Sequence, residues 1–568
     1  MRRAALAKIG ETSCYAPFER REAVFVRAAP YLEGVMSRHW GTHFAVGALA
    51  AALLGGAAIP SFAATPADTL VVAKAIDDII SLDPAEAYEL SGIEMDTNVY
   101  DRIMRFEADD VTKLVGGAAE SWTIADDGKT FTFKLRNGMK FHSGAPVTAG
   151  DAAFSLQRVI KLDKTPAFLI SQLGWTKDNV ESMVTAPDAG TLVVKIDADF
   201  APSLVLSLLS SIVGSIVEKK VAMDHDAGGD LGNAWLKTND AGSGPYVLKG
   251  WKANESVTME AFPGYRGGAP TMKRVVVRHV PEPATQLLQL QKGDADIAEN
   301  LTPDQIAGLA GDKDVTVTTS PQATQVYVGL NNKDKPLANP DVRRALRYLV
   351  DYDGMANSFL KGQYATHQTF WASGFWGALD KNDYKLDPAK AKQLLAKAGY
   401  PDGFEVTLDT PNSSPYANIA QSMQATMAQG GVKVTLIPSE QKTLLTKYRA
   451  RQHQMLLVYW GPDYMDPHTN ADAFARNPDN SDDAKSKPVA WRNAWDIPEV
   501  TKMTDAAVHE RDSAKREQMY KDLQAKLWDD SAYIFMFQQT KQLAERANVK
   551  GFVFGPTADV VFYRLVTK

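Results

Sequence analysis

The chain has 568 residues, of which 45% are hydrophobic and 23% charged. That ordinary globular composition excludes long disorder and repeats of collagen or coiled-coil type, and at roughly 150 residues per domain the length suggests two to four domains. Residues 64–568 carry 55 Lys and Arg against 64 Asp and Glu, a net charge of −9 without basic runs, which argues against a nucleic-acid partner.

From Met36 the chain reads as an export signal. Arg38 and His39 form a short basic region, residues 44–59 are uncharged and apolar, and Ser61, Phe62 and Ala63 close a cleavage site with small residues at −3 and −1. The apolar run is short for a bilayer span and ends at Pro60. We expect residues 36–63 to be a signal peptide, residues 1–35 an upstream extension with translation starting at Met36, and the mature chain to begin near Ala64. The single cysteine, Cys14, would then be lost. With no Cys at the cleavage site, a free periplasmic protein is expected, neither lipid-anchored nor membrane-spanning.

Strand and helix signals alternate along the remainder. Residues 69–75, 130–135, 191–196, 275–280, 315–319, 325–330, 432–437 and 532–538 are apolar or alternating and rich in β-formers. Helices are predicted over 149–160, 282–292, 387–398, 414–430 and 511–529. The third of these is the best punctuated: Asp387 caps it, Pro388 fills its first position and Gly399 stops it. Interleaved helices and strands define a layered α/β fold.

Catalytic signatures are scarce. There is no G-x-S-x-G elbow, no H-E-x-x-H pair and no P-loop. Gly242-Ser243-Gly244-Pro245 is a plain turn, because Pro245 lacks the N–H that a phosphate cradle would use. Asp224-His225-Asp226, beside Gly228 and Gly229, suits a solvated loop better than a metal site. No catalytic residue, metal or cofactor is expected.

Residues 120–158 read ESWTIADDGKTFTFKLRNGMKFHSGAPVTAGDAAFSLQR. This segment closely resembles the solute-binding protein family 5 of ABC importers, the group of dipeptide-, oligopeptide- and nickel-binding proteins. The shared elements include Ser121-Trp122, Asp127-Gly128, Lys140-Phe141-His142, Thr148-Ala149, Asp151 and Phe154. Further matching stretches are Gly242 to Tyr246, Gln289 to Asp296, and Asn339 to Leu346. The resemblance implies a two-lobed periplasmic binding-protein fold of the cluster C type, hinged, with an extra domain in the larger lobe. Domain I would comprise residues 64–109, 241–322 and 536–568, domain II 110–240, and domain III 323–535. The implied function is capture of a peptide or peptide-like solute between the lobes by a monomer and its delivery to the membrane permease. The alternatives are an opine, oligosaccharide or metal-chelate receptor of the same fold, or, less in keeping with the residues, a chaperone or hydrolase.

The resemblance also implies a site. Tyr459 to His468 reads YWGPDYMDPH, and its Trp460-x-x-Asp463 matches the segment that in peptide-binding members sets an Asp against the ligand's ammonium. A buried ammonium needs a paired anion, and a carboxylate supplies it. Tyr464 is adjacent, and Asp466 is expected to be structural. Where dipeptide binders hold the ligand carboxylate with an Arg, this chain has Ser414. One hydroxyl cannot replace a bidentate guanidinium, so the expectation moves towards longer peptides, opines or short oligosaccharides. Tyr88, Glu89, Ser91 and Tyr327 match cleft-lining positions, and Trp371 and Trp376 either stack on a ligand or pack.

Overall fold

In the computed structural model, residues 65–568 are described except 108, 109, 111, 112 and 198. The expected signal peptide and upstream extension, with Cys14, lie outside the described residues.

An eleven-stranded sheet forms the spine. Its order from one edge is Val432–Ser439, Phe404–Pro411, Met455–Trp460, Val315–Leu330, Tyr533–Arg546, Ile297–Ala298, Thr69–Lys74, Arg274–His279, Ser256–Ala261 and Tyr246–Lys252. Tyr364–Thr366 pairs separately with Tyr533–Arg546. Two long antiparallel strands, Val315–Leu330 and Tyr533–Arg546, join the two halves. Their register slips between Pro321 and Gln325. Pro321 has no N–H for the ladder, and the extra residues of a bulge leave the pairing and turn aside.

A second sheet of four antiparallel strands, Ala119–Ile124, Thr130–Leu135, Thr191–Lys195 and Val184–Asp188, carries the family-like segment. Phe131 and Phe133 face its core, fully buried, as the alternation requires. The helix Ala149–Leu162 packs against it and starts with a capping box in which Thr148 and Asp151 satisfy each other's backbone N–H groups. The predicted turn at Asp127-Gly128 is present, with Gly128 at φ +70°.

The predicted elements recur with ends moved by no more than two residues, except in two places. Residues 315–319 and 325–330 belong to one strand, Val315–Leu330. The strand beginning near Ala532 continues to Arg546 instead of stopping at Gln538. The turn at Gly242 to Pro245 is tight for a packing reason: a Cβ on Gly242 would lie 2.2 Å from the Val99 carbonyl oxygen. His225 stacks on Trp235 at 4.0 Å between ring centroids, which explains it as a surface packing residue.

The four-stranded unit touches the segment 461–529 directly. Tyr464 and Val508 pack into its apolar core, the Ala201 N–H donates to the Val508 carbonyl at 2.8 Å, and Arg511 donates to the carbonyls of Asp126 (3.1 Å) and Asp127 (2.6 Å) and to the Asp199 carboxylate (3.0 Å).

Candidate functional site

Beside the register slip lies a cavity of about 250 Å³, at the small end of ligand pockets. The slip sends Gln322 and Thr324 into it. The strand Met455–Trp460 ends just short of it, and the following Gly461-Pro462-Asp463 forms one wall. Tyr88, Leu90, Ile93 and Glu94 contribute the start of the helix Leu90–Val99. Lys74 comes from the end of the strand Thr69–Lys74, Gln539 and Lys541 from the middle of Tyr533–Arg546, and the segment 554–559 closes the remaining side.

The charges are arranged unevenly. Asp463 accepts one short hydrogen bond, from the Tyr88 hydroxyl to Oδ1 at 2.6 Å; Oδ2 takes none from any described residue. Burial pushes the Asp463 carboxyl above its ordinary range, and the Tyr88 bond only partly opposes this. Lys74 is the opposite case. Burial disfavours its ammonium, but Glu299 and Glu94 outweigh that and hold it above the usual lysine value. Glu299 lies 2.9 Å from Lys74, and Glu94 contacts both Lys74 and the Tyr563 hydroxyl. Asp559 is taken by Arg102 at 2.6 Å. The Lys541 ammonium makes no hydrogen bond or ion pair with any described residue. Its ammonium sits 5.1 Å from the centre of the Phe554 ring, and burial pushes it below the ordinary lysine value despite Glu299 nearby.

Of the residues singled out from sequence, the cavity brings together Tyr88 and Asp463. The others lie elsewhere, each for a visible reason. Trp460 donates from its indole to Asn470 at 3.0 Å and packs edge-on against Phe474, so it braces the strand that carries Asp463. Tyr464 is buried in the core of the four-stranded unit. Tyr327 is 1% exposed, ringed by Phe474, Tyr533 and Phe535. Trp371 is also 1% exposed and donates to the Trp376 carbonyl at 2.9 Å; Trp376 packs against the Arg516 guanidinium. In this structure both tryptophans take part in packing contacts. Ser414 is exposed on the loop before the helix Tyr416–Gln429. Glu89 precedes the helix Leu90–Val99, and the Ser91 N–H donates to Asp78 at 3.0 Å. Asp466 is structural: its carboxylate grips Arg516 at 2.7 and 2.8 Å. Sequence reasoning missed Lys541, Gln539 and the segment 554–559, because only strand pairing brings the end of the chain beside Asp463.

Among the described residues no group of three or more His, Cys, Asp or Glu is arranged to hold a metal ion, and no helix is long and apolar enough to cross a membrane. A cavity with a desolvated carboxylate, adjoining two long strands that join the halves of a sheet, suits reversible capture of a small charged molecule.

Comparison with known proteins agrees. Residues 113–482 match the model of the bacterial extracellular solute-binding proteins, family 5, and the chain belongs to that family. It is 32% identical to the probable D,D-dipeptide-binding periplasmic protein DdpA of Escherichia coli K12, over 88% of this chain and 94% of that one. It is 27% identical to the dipeptide-binding protein of the same strain, over 83% and 88%. Among solved structures, the periplasmic binding protein DppA of Helicobacter pylori, in complex with the peptide STSA, superposes with a TM-score of 0.70 at 23% identity, covering 88% of this chain and 98% of that one. The two-lobed mixed α/β fold expected from sequence is that of these structural relatives.

Proposed function

We propose that this protein is the periplasmic receptor of an ABC importer, capturing a peptide or peptide-like solute and passing it to the membrane permease. The observation that carries the reading is Asp463, which lines the cavity with a largely desolvated carboxylate whose one hydrogen-bond partner among the described residues is the Tyr88 hydroxyl. A ligand ammonium placed there would supply the missing counter-charge and remove the desolvation cost. The names of the relatives point the same way, since both curated relatives are described as binding dipeptides. In this reading residues 64–109, 241–322 and 536–568 form domain I, 110–240 domain II and 323–535 domain III, and Tyr88 and Asp463 meet across the closed lobes. The protein acts as a monomer, is cleaved near Ala64, carries no lipid anchor, and releases its ligand unaltered.

Titration calorimetry with a panel of L,L- and D,D-dipeptides and their N-acetylated forms tests this. The expected outcome is binding of at least one free amine, loss of binding on acetylation, and a loss of about a hundredfold or more in Asp463→Ala. Equal binding of amine and acetylated forms would refute the Asp463 assignment and favour a neutral ligand such as an oligosaccharide.

A further inference from the structure

We propose that Lys541 is the second charged anchor of the cavity, holding the carboxylate of a short zwitterionic ligand whose ammonium sits on Asp463; this rests on the peptide reading above. The first argument is pairing. Besides Asp463 and Lys541, three acidic or basic side chains line the cavity, Lys74, Glu94 and Asp559, and each is engaged. Lys74 holds Glu94 and, behind it, Glu299; Asp559 holds Arg102. Of the charged residues lining the cavity, only Asp463 and Lys541 have no ion-pair partner among the described residues. They are of opposite sign, and leaving an isolated charge in a poorly hydrated site is costly. Lys541 is not a spare counter-ion for Glu94 and Glu299, because both converge on Lys74 and neither comes within ion-pair distance of Lys541.

The second argument is spacing. Met455–Trp460 and Tyr533–Arg546 both run antiparallel to Val315–Leu330, so they run parallel to each other. Trp460 and Gln538 both pair with Gln325. Trp460 and Gln538 are thus two strand spacings, on the order of 10 Å, apart at the backbone, and Asp463, in the loop after its strand, and Lys541, within its strand, each follow three residues later and line the same cavity. An extended peptide advances about 3.5 Å per residue, so a molecule of two or three residues bridges the gap, and the cavity of about 250 Å³ suits no larger one. The absence of an Arg at Ser414 therefore does not remove the carboxylate contact; the strand Tyr533–Arg546 supplies the cation instead.

The experiment compares a dipeptide that binds the wild type with its C-terminal amide, on wild type, Lys541→Met and Lys541→Arg. Methionine keeps the bulk of the side chain without the charge, and circular dichroism with thermal melts verifies that each variant is folded. Wild type is expected to prefer the free acid by about tenfold or more, the gain of a hydrogen bond between charged groups. Lys541→Met should lose that preference, with acid and amide binding equally, and Lys541→Arg should keep most of it. N-acetylation should still abolish binding in Lys541→Met, because Asp463 is untouched; that separates failure of this inference from failure of the peptide reading. If Lys541→Met retains the wild-type preference for the acid, or wild type has none, the inference is overturned.

Discussion

Replacing Asp466 by Ala should damage the fold while sparing the ligand contact three residues earlier. Asp466 and Arg516 are both buried, with side-chain exposures of 4% and 0%, and the guanidinium meets the carboxylate through two bonds of 2.7 and 2.8 Å. The carboxylate also accepts the His468 N–H at 2.9 Å, tying down the loop that presents Asp463. Removing it leaves a buried guanidinium whose remaining partners, the Ala507 carbonyl, Ser203 and Tyr520, are all neutral. Breaking a buried pair on one side costs about 3–5 kcal/mol. Unfolding entropy scales with length at about 2 cal/mol/K per residue, so for a chain of this size the melting temperature should fall by roughly 3–5 °C. Removing both charges in Asp466→Ala/Arg516→Met should recover most of the loss, since no buried charge is then left alone. Differential scanning calorimetry of wild type and these two variants reads this directly, and calorimetric titration should show Asp466→Ala within a few-fold of wild-type affinity, far from the loss expected for Asp463→Ala. A melting temperature for Asp466→Ala within a degree of wild type, or a double variant no more stable than the single one, would refute the reasoning.

Two other outcomes follow from the same geometry. Arg511→Ala removes the contacts to Asp126, Asp127 and Asp199 that help hold residues 461–529 against the four-stranded unit. The pair is solvent-accessible, so small-angle scattering should show a modestly larger radius of gyration without ligand and affinity should fall by no more than about fivefold; no change in either would dismiss the contact as a latch. Affinity should also fall on acidification, starting at a higher pH than an ordinary carboxyl would cause, because burial raises the Asp463 carboxyl and its protonated form cannot pair an ammonium. The sign for stability is the reverse. A carboxyl raised on folding contributes stability that is full below its unfolded value and is lost as pH rises through the folded one, so Asp463→Asn should melt no lower than wild type at neutral pH while losing the acid-dependent step in affinity.

Much of the local structure is determined by sequence because its causes are local. The strand Thr130–Leu135 follows from alternation after a tight turn, and the helix Pro388–Lys397 from its cap, which the Asp387 side chain makes to the Lys390 N–H at 2.9 Å. The Asp463 position was legible too, since the W-x-x-D segment is contiguous. The aromatic residues were ambiguous because a tryptophan is equally suited to a core and to a ligand, and only burial, as at Trp371 and Tyr327, separates the two. Other features exist only in the tertiary structure. Pro321 hides that residues 315–330 form a single strand, because continuity across a bulge depends on the partner strand. Lys541 is an unremarkable lysine in sequence, 78 residues from Asp463. It becomes a candidate anchor because two strands that share Gln325 as neighbour bring it to the cavity that Asp463 also lines, and long-range pairing of that kind has no mark in either segment alone.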